Sequence, residues 1–238
     1  MTDLTSQTVL VVGASSGIGL ATVKAAAARG ASVIMLSRSP EKLAAATAGL
    51  VGGGVHTLAA NVLDREAVHR EIGSLGPIDH LVLTAVADEL ASAGRVDQLS
   101  PPQVERSFDK LRGFVNVLGA ACGKMSSRGS ISLLSGASAL KPTDGASILA
   151  AAAGSIVSFG RALAIELAPL RVNVVMPGVV DTPIHEHQRD QVRAWAESTL
   201  PARRFGQPED IAAAILFLMT NPYMTGHTLV IDGGLVLT

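Results

Sequence analysis

The chain has 238 residues, of which 48% are hydrophobic and 16% charged, and its formal net charge is −1. A chain of this length and composition can bury a substantial core, and no linker-like stretch or charge run divides it, so we expect one domain over residues 1–238. The near-neutral charge gives no electrostatic footprint for nucleic acid or an anionic membrane, and we expect neither as a partner.

The N-terminal segment has the pattern of a strand, a glycine turn and a helix. Thr8–Val12 is apolar and rich in β-branched residues, and the Ala-rich stretch Leu20–Arg29 is typical of a helix that ends at Gly30. Between them, three glycines permit a tight turn, close approach of a pyrophosphate and close helix packing, although an ordinary loop is the alternative. The pattern predicts dinucleotide contacts from Gly13, Ser15, Ser16, Gly17, Ile18 and Gly19.

Further short apolar runs follow along the chain, and most of them end in a polar residue or glycine. They are Ser32–Leu36, Val55–Ala59, His80–Leu83, Ser130–Leu134, Val172–Met176 and Thr228–Ile231. The segments between them are long enough for helices, so strands and helices alternate. We therefore predict an α/β protein with a single-domain Rossmann-type fold, a doubly wound seven-stranded parallel sheet with helices on both faces. Its ligand site is expected at the edge where the strands end.

Targeting signals are weak in this sequence. Met1–Gln7 is polar, the apolar run after it is too short for a signal peptide, and the single Cys122 cannot form an internal disulfide, so we expect a cytoplasmic protein. The longest apolar tract, Ile148–Phe159, is mostly alanine and falls short of the ~20 residues that a spanning helix needs. We interpret it as a packed helix.

Several motifs, together with the glycine turn, resemble the short-chain dehydrogenase/reductase family over nearly the whole chain. They are Asn61–Asp64, Arg171–Asn173, Pro177–Thr182, Arg204–Asp210, Gly226 and Asp232–Gly234. The resemblance implies a nicotinamide cofactor. It also implies a homodimer or homotetramer packed through helices that include Pro101–Lys124 and Gly145–Leu167.

The end of the second predicted strand indicates which nicotinamide cofactor binds. An acidic side chain there hydrogen-bonds the adenine ribose and repels a 2′-phosphate, whereas an arginine pairs with that phosphate. This chain has Ser37 and Arg38 and no acid at that place, so Arg38 predicts NADP(H), with Ser37 as a neutral hydrogen-bonding neighbour. A solvated surface arginine is the alternative.

The resemblance places the remaining cofactor contacts on three strand ends. Asn61 stands where the family more often has aspartate against the adenine, and an amide can donate or accept there. Val86 puts a branched side chain where the family has a glycine that lets the cofactor pass. The predicted contacts on these segments are Asn61, Val62, Thr84, Ala85, Val86, Pro177, Gly178, Val179 and Thr182.

The same resemblance exposes departures in the residues that handle protons. In the family, a tyrosine gives a proton to the carbonyl, a lysine one turn later on the same helix lowers the pKa of that phenol, a serine orients the carbonyl, and an asparagine supports a water relay. Aligned from the motifs that follow, the tyrosine position falls on Leu149 and the lysine position on Ala153. Gly136 and Lys110 take the serine and asparagine positions. The only tyrosine, Tyr223, comes far too late in the chain to fill the role.

One pairing of departures suggests compensation. Lys110, on a neighbouring predicted helix, could reach the space that Ala153 vacates. Our hypothesis is that Lys110 holds the nicotinamide ribose or acts as an electrostatic or acid group, while Ser135 or Ser138 contacts the substrate. A lysine in a structural salt bridge or at a helix cap is the alternative.

Two functions remain open from sequence alone. The first is an NADP(H)-dependent oxidoreductase with an unusual proton source, acting on an unknown carbonyl, alcohol or activated alkene. The second is a catalytically silent NADP(H)-binding protein, either a redox sensor or a structural partner of an active relative. His185 and His187 alternate in the manner of metal ligands, but no further Cys or carboxylate cluster lies near them, so we expect no metal site.

Overall fold

The computed structural model describes residues 3–50, 54–85 and 93–238. Strands within these ranges form one sheet in the order β3-β2-β1-β4-β5-β6-β7, and every neighbouring pair is parallel. The predicted fold class is therefore confirmed. The strands are β1 (Thr8–Val12), β2 (Ser32–Ser37), β3 (Val55–Ala59), β4 (Ile78–Leu83), β5 (Met125–Leu134), β6 (Arg171–Pro177) and β7 (Thr228–Ile231).

Helices cover both faces of this sheet, as the parallel strands require. One buried cluster joins the sheet to α1, α2 and α8, and a second joins it to α3, α5 and α6. The helices are α1 (Gly17–Ala27), α2 (Pro40–Thr47), α3 (Arg65–Gly73), α4 (Pro101–Ser107), α5 (Asp109–Ala121), α6 (Ser147–Glu166), α7 (Arg189–Thr199) and α8 (Pro208–Thr220).

The predicted helical stretch Pro101–Lys124 is broken in the structure. Phe108, with φ −97° and ψ 5°, separates α4 from α5, and a short 3₁₀ turn over Cys122–Lys124 follows. The break allows α4 to pack against α6 while α5 packs against α3. It also places Lys110 in the first turn of α5, at the edge of the sheet where the strands end.

Helix α6 is longer than the apolar tract from which it was predicted. It spans 20 residues, and an 18-residue stretch of it has a mean hydropathy of 1.8 and is 22% buried, so the helix is long and apolar enough to cross a membrane by length and composition alone. The expectation of a tract too short to span was wrong in this respect. Ile156, Gly160 and Leu163 are buried on the sheet side of α6, so one face of the helix packs against the sheet.

A buried polar cluster joins the central strands away from the strand ends. His80 of β4 lies 2.8 Å from Ser130 Oγ through Nδ1 and 2.8 Å from Gln7 Oε1 through Nε2. His80 is only 4% exposed. Burial lowers the pKa of His80 from 6.5 to about 4, with the nearby Arg171 acting in the same direction and Asp79 opposing it.

Candidate dinucleotide and substrate site

A cavity of about 530 Å³ opens where the strands end, in the size range of small-molecule sites. The lining includes every residue in the described ranges that the sequence predicts to contact cofactor or substrate. These are Gly13, Ser15, Ser16, Gly17, Ile18, Gly19, Ser37, Arg38, Asn61, Val62, Thr84, Ala85, Lys110, Ser135, Ser138, Pro177, Gly178, Val179 and Thr182. Val86 lies outside the described residues, so its expected obstruction of the cofactor stays a prediction.

The glycine turn has a backbone that side chains would disrupt. Gly13 has φ +87° and Gly17 has φ +51°, in the left-handed region that favours glycine. A Cβ on Gly19 would lie 2.1 Å from the carbonyl oxygen of Gly13, which leaves no room for any side chain there. Ser16 precedes α1 without a side-chain cap, and the first turn carries no acidic residue. The N–H groups that begin α1 therefore form a suitable cradle for a pyrophosphate.

The end of β2 lies beside this turn. Ser37 Oγ is 2.9 Å from Ser15 Oγ, which couples the strand end to the glycine turn by a hydrogen bond. Arg38 is exposed and lines the same cavity. Two hydroxyls and one guanidinium at this place suit a phosphate on the adenine ribose.

Helix α5 supports the next part of the cavity, at the end of β3. Asn61 Oδ1 accepts a hydrogen bond from the backbone N–H of Leu63 at 3.1 Å, and Asn116 Nδ2 donates to the carbonyl of Val62 at 2.9 Å. A Cβ on Gly113 would lie 2.7 Å from Val62 Cγ2, so α5 approaches this loop closely. Sequence reasoning missed Gly113 and Asn116, because a single glycine or asparagine inside a helical pattern carries no motif.

The loop after β6 closes the opposite end of the cavity. Asp181 accepts hydrogen bonds from Arg189 Nε at 2.6 Å and from Arg193 Nη2 at 3.4 Å, which fixes the start of α7 to the loop. His185 lines the cavity and packs edge-on against Phe205, with ring centroids 5.8 Å apart. Burial lowers the pKa of His185, and Asp181 opposes that shift. The segment forms one wall of the substrate end.

Polar residues that the sequence did not single out as site residues complete this end. Lys141 lines the cavity, and its Nζ donates to the backbone carbonyl and hydroxyl oxygens of Thr238. The chain after β7 is thereby held beside the substrate end. Asp109, Thr143 and Leu235 also line the cavity. Only the folded chain brings these distant segments together.

Three of the four predicted substitutions for the proton-handling residues, at Lys110, Gly136 and Ala153, line a second, smaller cavity. Its volume is about 30 Å³, and it is bounded by α4, α5, α6 and the segment after β5. Lys110, 9% exposed, lines it together with Ala153. Leu149 is half-buried on α6, one turn before Ala153. Tyr223 is 97% exposed, on the turn that precedes β7.

The two candidate serines differ in their hydrogen bonds. Ser135 is 4% exposed, and its hydroxyl donates to the carbonyl of Ala153 at 2.8 Å. Ser138 lines both the large and the small cavity. Its Oγ lies 3.7 Å from the place that a Cβ on Gly136 would occupy. The hydroxyl of Ser138 thus lies next to the position from which a serine at residue 136 would present its own.

Side chains that can ligate a metal do not cluster in the part of the chain that the structure describes. No group of three or more His, Cys, Asp or Glu side chains in those ranges is arranged to hold a metal ion. His185 packs against Phe205. The arrangement of the cavity suits an organic ligand with a pyrophosphate.

The fold and this cavity define a dinucleotide-binding α/β protein of the Rossmann type. A family model described as Enoyl-(Acyl carrier protein) reductase matches residues 13–236. The 3-oxoacyl-[acyl-carrier-protein] reductase of Bos taurus is 36% identical over 239 residues, which cover 96% of this chain and 97% of the relative. The chain belongs to the short-chain dehydrogenase/reductase family of oxidoreductases.

Solved structures agree with this assignment. A short chain dehydrogenase/reductase family protein has a TM-score of 0.87 at 31% identity, with full coverage of both chains. A small-chain dehydrogenase in complex with NADPH has a TM-score of 0.82 at 29% identity, covering 98% of this chain and 99% of that one. The resemblance inferred from the motifs is thereby confirmed at the level of the family.

Proposed function

We propose that this protein is an NADP(H)-dependent oxidoreductase that reduces a carbonyl compound with an unusual set of proton-handling residues. The observation that carries the proposal is the position of Lys110. This buried lysine lines the substrate end of the large cavity and also the small cavity beside Ala153. A cation is therefore present where the family's lysine position holds only a methyl group.

NADP(H) is the cofactor. The glycine turn, the open N-terminus of α1 and the hydroxyl pair of Ser15 and Ser37 fit the pyrophosphate and the ribose of a dinucleotide, and Arg38 provides the charge that a 2′-phosphate needs. A related chain has been solved with NADPH in a fold of the same kind. When bound, the cofactor supplies a hydride to the substrate.

The names of the relatives suggest the substrate class to test first. Those of cattle and Thermotoga maritima are 3-oxoacyl-[acyl-carrier-protein] reductases, and the family model is described by enoyl reduction. Both reactions act on acyl thioesters, at a ketone or at an activated alkene. We therefore expect a 3-oxoacyl thioester as substrate, with the 2-enoyl thioester as the competing possibility.

The role of Lys110 is electrostatic in this proposal. Hydride addition to a ketone leaves negative charge on the former carbonyl oxygen. A buried ammonium stabilises such charge more strongly than it would in water, because little solvent screens the interaction. In this proposal Lys110 does so at the substrate end, and it donates to a ribose hydroxyl in place of the family's lysine.

Two measurements test the function. The first is calorimetric titration with NADPH, NADP⁺ and NADH, in which we expect tight binding of both NADP(H) forms and weak binding of NADH. The second is NADPH oxidation with S-acetoacetyl-N-acetylcysteamine as a 3-oxoacyl thioester probe. Lys110→Met should lower turnover at least tenfold, whereas Lys42→Met serves as the control, since Lys42 is exposed on α2 and lines neither cavity. Equal turnover of wild type and Lys110→Met would remove Lys110 from the mechanism.

A redox sensor is the second candidate, and the apolar residues at Leu149 and Ala153 favour it. A sensor must distinguish oxidised from reduced cofactor, so it predicts a large ratio between the NADPH and NADP⁺ dissociation constants. Binding of both forms with no turnover of any thioester or alkene probe would support a silent protein. Absence of cofactor binding would favour a purely structural role.

The proposed active form is a homo-oligomer. Much of α6 remains uncovered within one chain, and Ile165 of α6 and Val115 of α5 are 83% and 48% exposed. A second copy packed against α4, α5 and α6 would cover these side chains. Sedimentation at micromolar concentration should therefore give a dimer or a tetramer, and an Ile165→Glu variant should dissociate.

A further inference from the structure

The small cavity lies directly behind the substrate end of the large one. Three residues line both cavities and so form the wall between them: Lys110, Gly136 and Ser138. The far side of the small cavity is made by Ser107 and Phe108 at the α4–α5 break and by Ala152 and Ala153 of α6. A cavity of about 30 Å³ thus lies between Lys110 and the surface of α6.

This space suits a single water molecule. A water needs room for about one probe sphere of ~10–15 Å³ and two to four polar partners, and the cavity exceeds that volume. Its lining provides Lys110, Ser138 and Ser107 as polar side chains. The Ser107 hydroxyl donates to the carbonyl of Gln103 at 2.9 Å and keeps its acceptor capacity.

Only one of the two neighbouring serines is suited to act on the substrate. The Ser135 proton is used in its hydrogen bond to the carbonyl of Ala153. Ser138 lines the large cavity, and its Oγ lies 3.7 Å from the Cβ position of residue 136. Ser138 therefore borders the large cavity on one side and the small cavity on the other.

We propose that Ser138 gives the proton to the substrate oxygen and that a water in the small cavity connects Ser138 to Lys110. As the hydride reaches the carbonyl carbon, the carbon–oxygen π bond breaks and its electron pair becomes an O–H bond with the Ser138 proton. Ser138 takes a proton from the water, and the water takes one from the Lys110 ammonium. The neutral amine is then reprotonated from solvent, so atoms and charge balance.

This inference rests on the proposed function and sharpens it, because it requires Lys110 to release a proton and not merely to be charged. Arginine separates the two roles. A guanidinium keeps its charge and does not give up its proton in proteins. Lys110→Arg therefore preserves an electrostatic effect and removes a relay.

The water itself is tested by high-resolution crystallography, without any turnover. We expect an ordered water within hydrogen-bond distance of Lys110 Nζ and Ser138 Oγ in the wild type. In Ala153→Val the added methyl groups should displace it while both polar side chains remain. Ala151→Val is the matched control, since Ala151 is exposed on the same helix and lines neither cavity. A dry cavity in the wild type would overturn the relay.

Kinetics with S-acetoacetyl-N-acetylcysteamine test the proton path. We expect kcat to fall about 10²-fold in Ser138→Ala, Lys110→Arg and Ala153→Val, with KM and NADPH affinity unchanged and a larger solvent deuterium effect. Ala151→Val, at an exposed position that lines neither cavity, should stay within about threefold of wild type. Full activity in Lys110→Arg or Ala153→Val would overturn the relay and leave the reductase intact. A wild type that binds NADPH but reduces no thioester or alkene probe would overturn the reductase, and with it the relay.

Discussion

The two ends of the large cavity are built by different means. At the cofactor end the requirements fall on the backbone, where Gly13 needs a positive φ and Gly19 has no room for a Cβ. At the substrate end the proposed requirements fall on functional groups, which Lys110 and Ser138 would bring from an adjacent helix and an adjacent turn. A backbone shape must be encoded at its own position, whereas a hydroxyl or an amine can be supplied from a neighbouring element. The substrate end is therefore the part of the site in which residues can be exchanged.

The largest effect is expected when the substrate end is given the family's usual residues. Combining Lys110→Asn, Gly136→Ser, Leu149→Tyr and Ala153→Lys should raise kcat/KM for the 3-oxoacyl thioester probe by about 10²-fold or more, the typical effect of a positioned acid. The serine fits, because a Cβ on Gly136 meets no atom other than Ser138 Oγ at 3.7 Å among its nearest contacts.

The control for this quadruple variant is its NADPH affinity, which should stay within about threefold of that of the wild type. If affinity is kept and turnover does not rise, then the cofactor end does not present its hydride to the substrate end, and the silent sensor becomes the better reading. Lys110→Asn alone should lower turnover, because it removes the proposed cation without adding the tyrosine.

The pH dependence of the unfolding free energy distinguishes protonation of His80 in the sheet from protonation of a group in the cavity. The pKa of His80 is about 4 in the folded chain and 6.5 in the unfolded one, so between these values the unfolded chain binds the extra proton. Stability should therefore fall by about 3 kcal/mol as the pH drops from 6.5 to 4, at ~1.4 kcal/mol for each unit of pKa. Urea unfolding at several pH values measures this loss.

A His80→Gln variant provides the control, since an amide can still contact Ser130 and Gln7 but does not titrate. Its unfolding free energy should be lower than wild type at neutral pH and flatter in acid. If NADPH affinity of the wild type falls in acid while the unfolding free energy does not, then the loss arises in the cavity, with His185 as the nearest candidate.

The fold and the cofactor end could be predicted from sequence because their signals are local. The glycine turn, the apolar strands and the polar residue after each strand specify a sheet edge that the structure reproduces, although β5 begins at Met125 and not at Ser130. The break at Phe108 had no signal, since the sequence around it is helical in pattern. Neither could sequence show that Ser135 is engaged by Ala153, because that contact depends on how α6 packs against β5.

A smaller effect is expected at the 2′-phosphate. Arg38→Ala should weaken NADPH binding by about 2 kcal/mol, or roughly thirtyfold, as a charge-assisted hydrogen bond is lost. NADH affinity should not change, because NADH has no phosphate there. Arg65→Ala is a suitable control, since Arg65 begins α3 and does not line the cavity. Equal losses for NADPH and NADH would mean that Arg38 supports the fold and does not select the cofactor.

The smallest change in stability is predicted for a substitution at Gly154, which contrasts with Gly19. A Cβ on Gly154, inside α6, would meet no atom within 4 Å in one chain, whereas Gly19 has no such room. Gly154→Ala should therefore stabilise the isolated chain by up to about 1 kcal/mol through its helix propensity, while Gly19→Ala should abolish NADPH binding. Thermal unfolding and sedimentation of Gly154→Ala separate the effect of helix propensity from the effect of packing between subunits. A higher melting temperature with unchanged self-association means that this part of α6 faces solvent. A lower melting temperature together with dissociation means that a second copy packs closely against Gly154. The glycine is then as necessary at the subunit interface as Gly19 is at the cofactor.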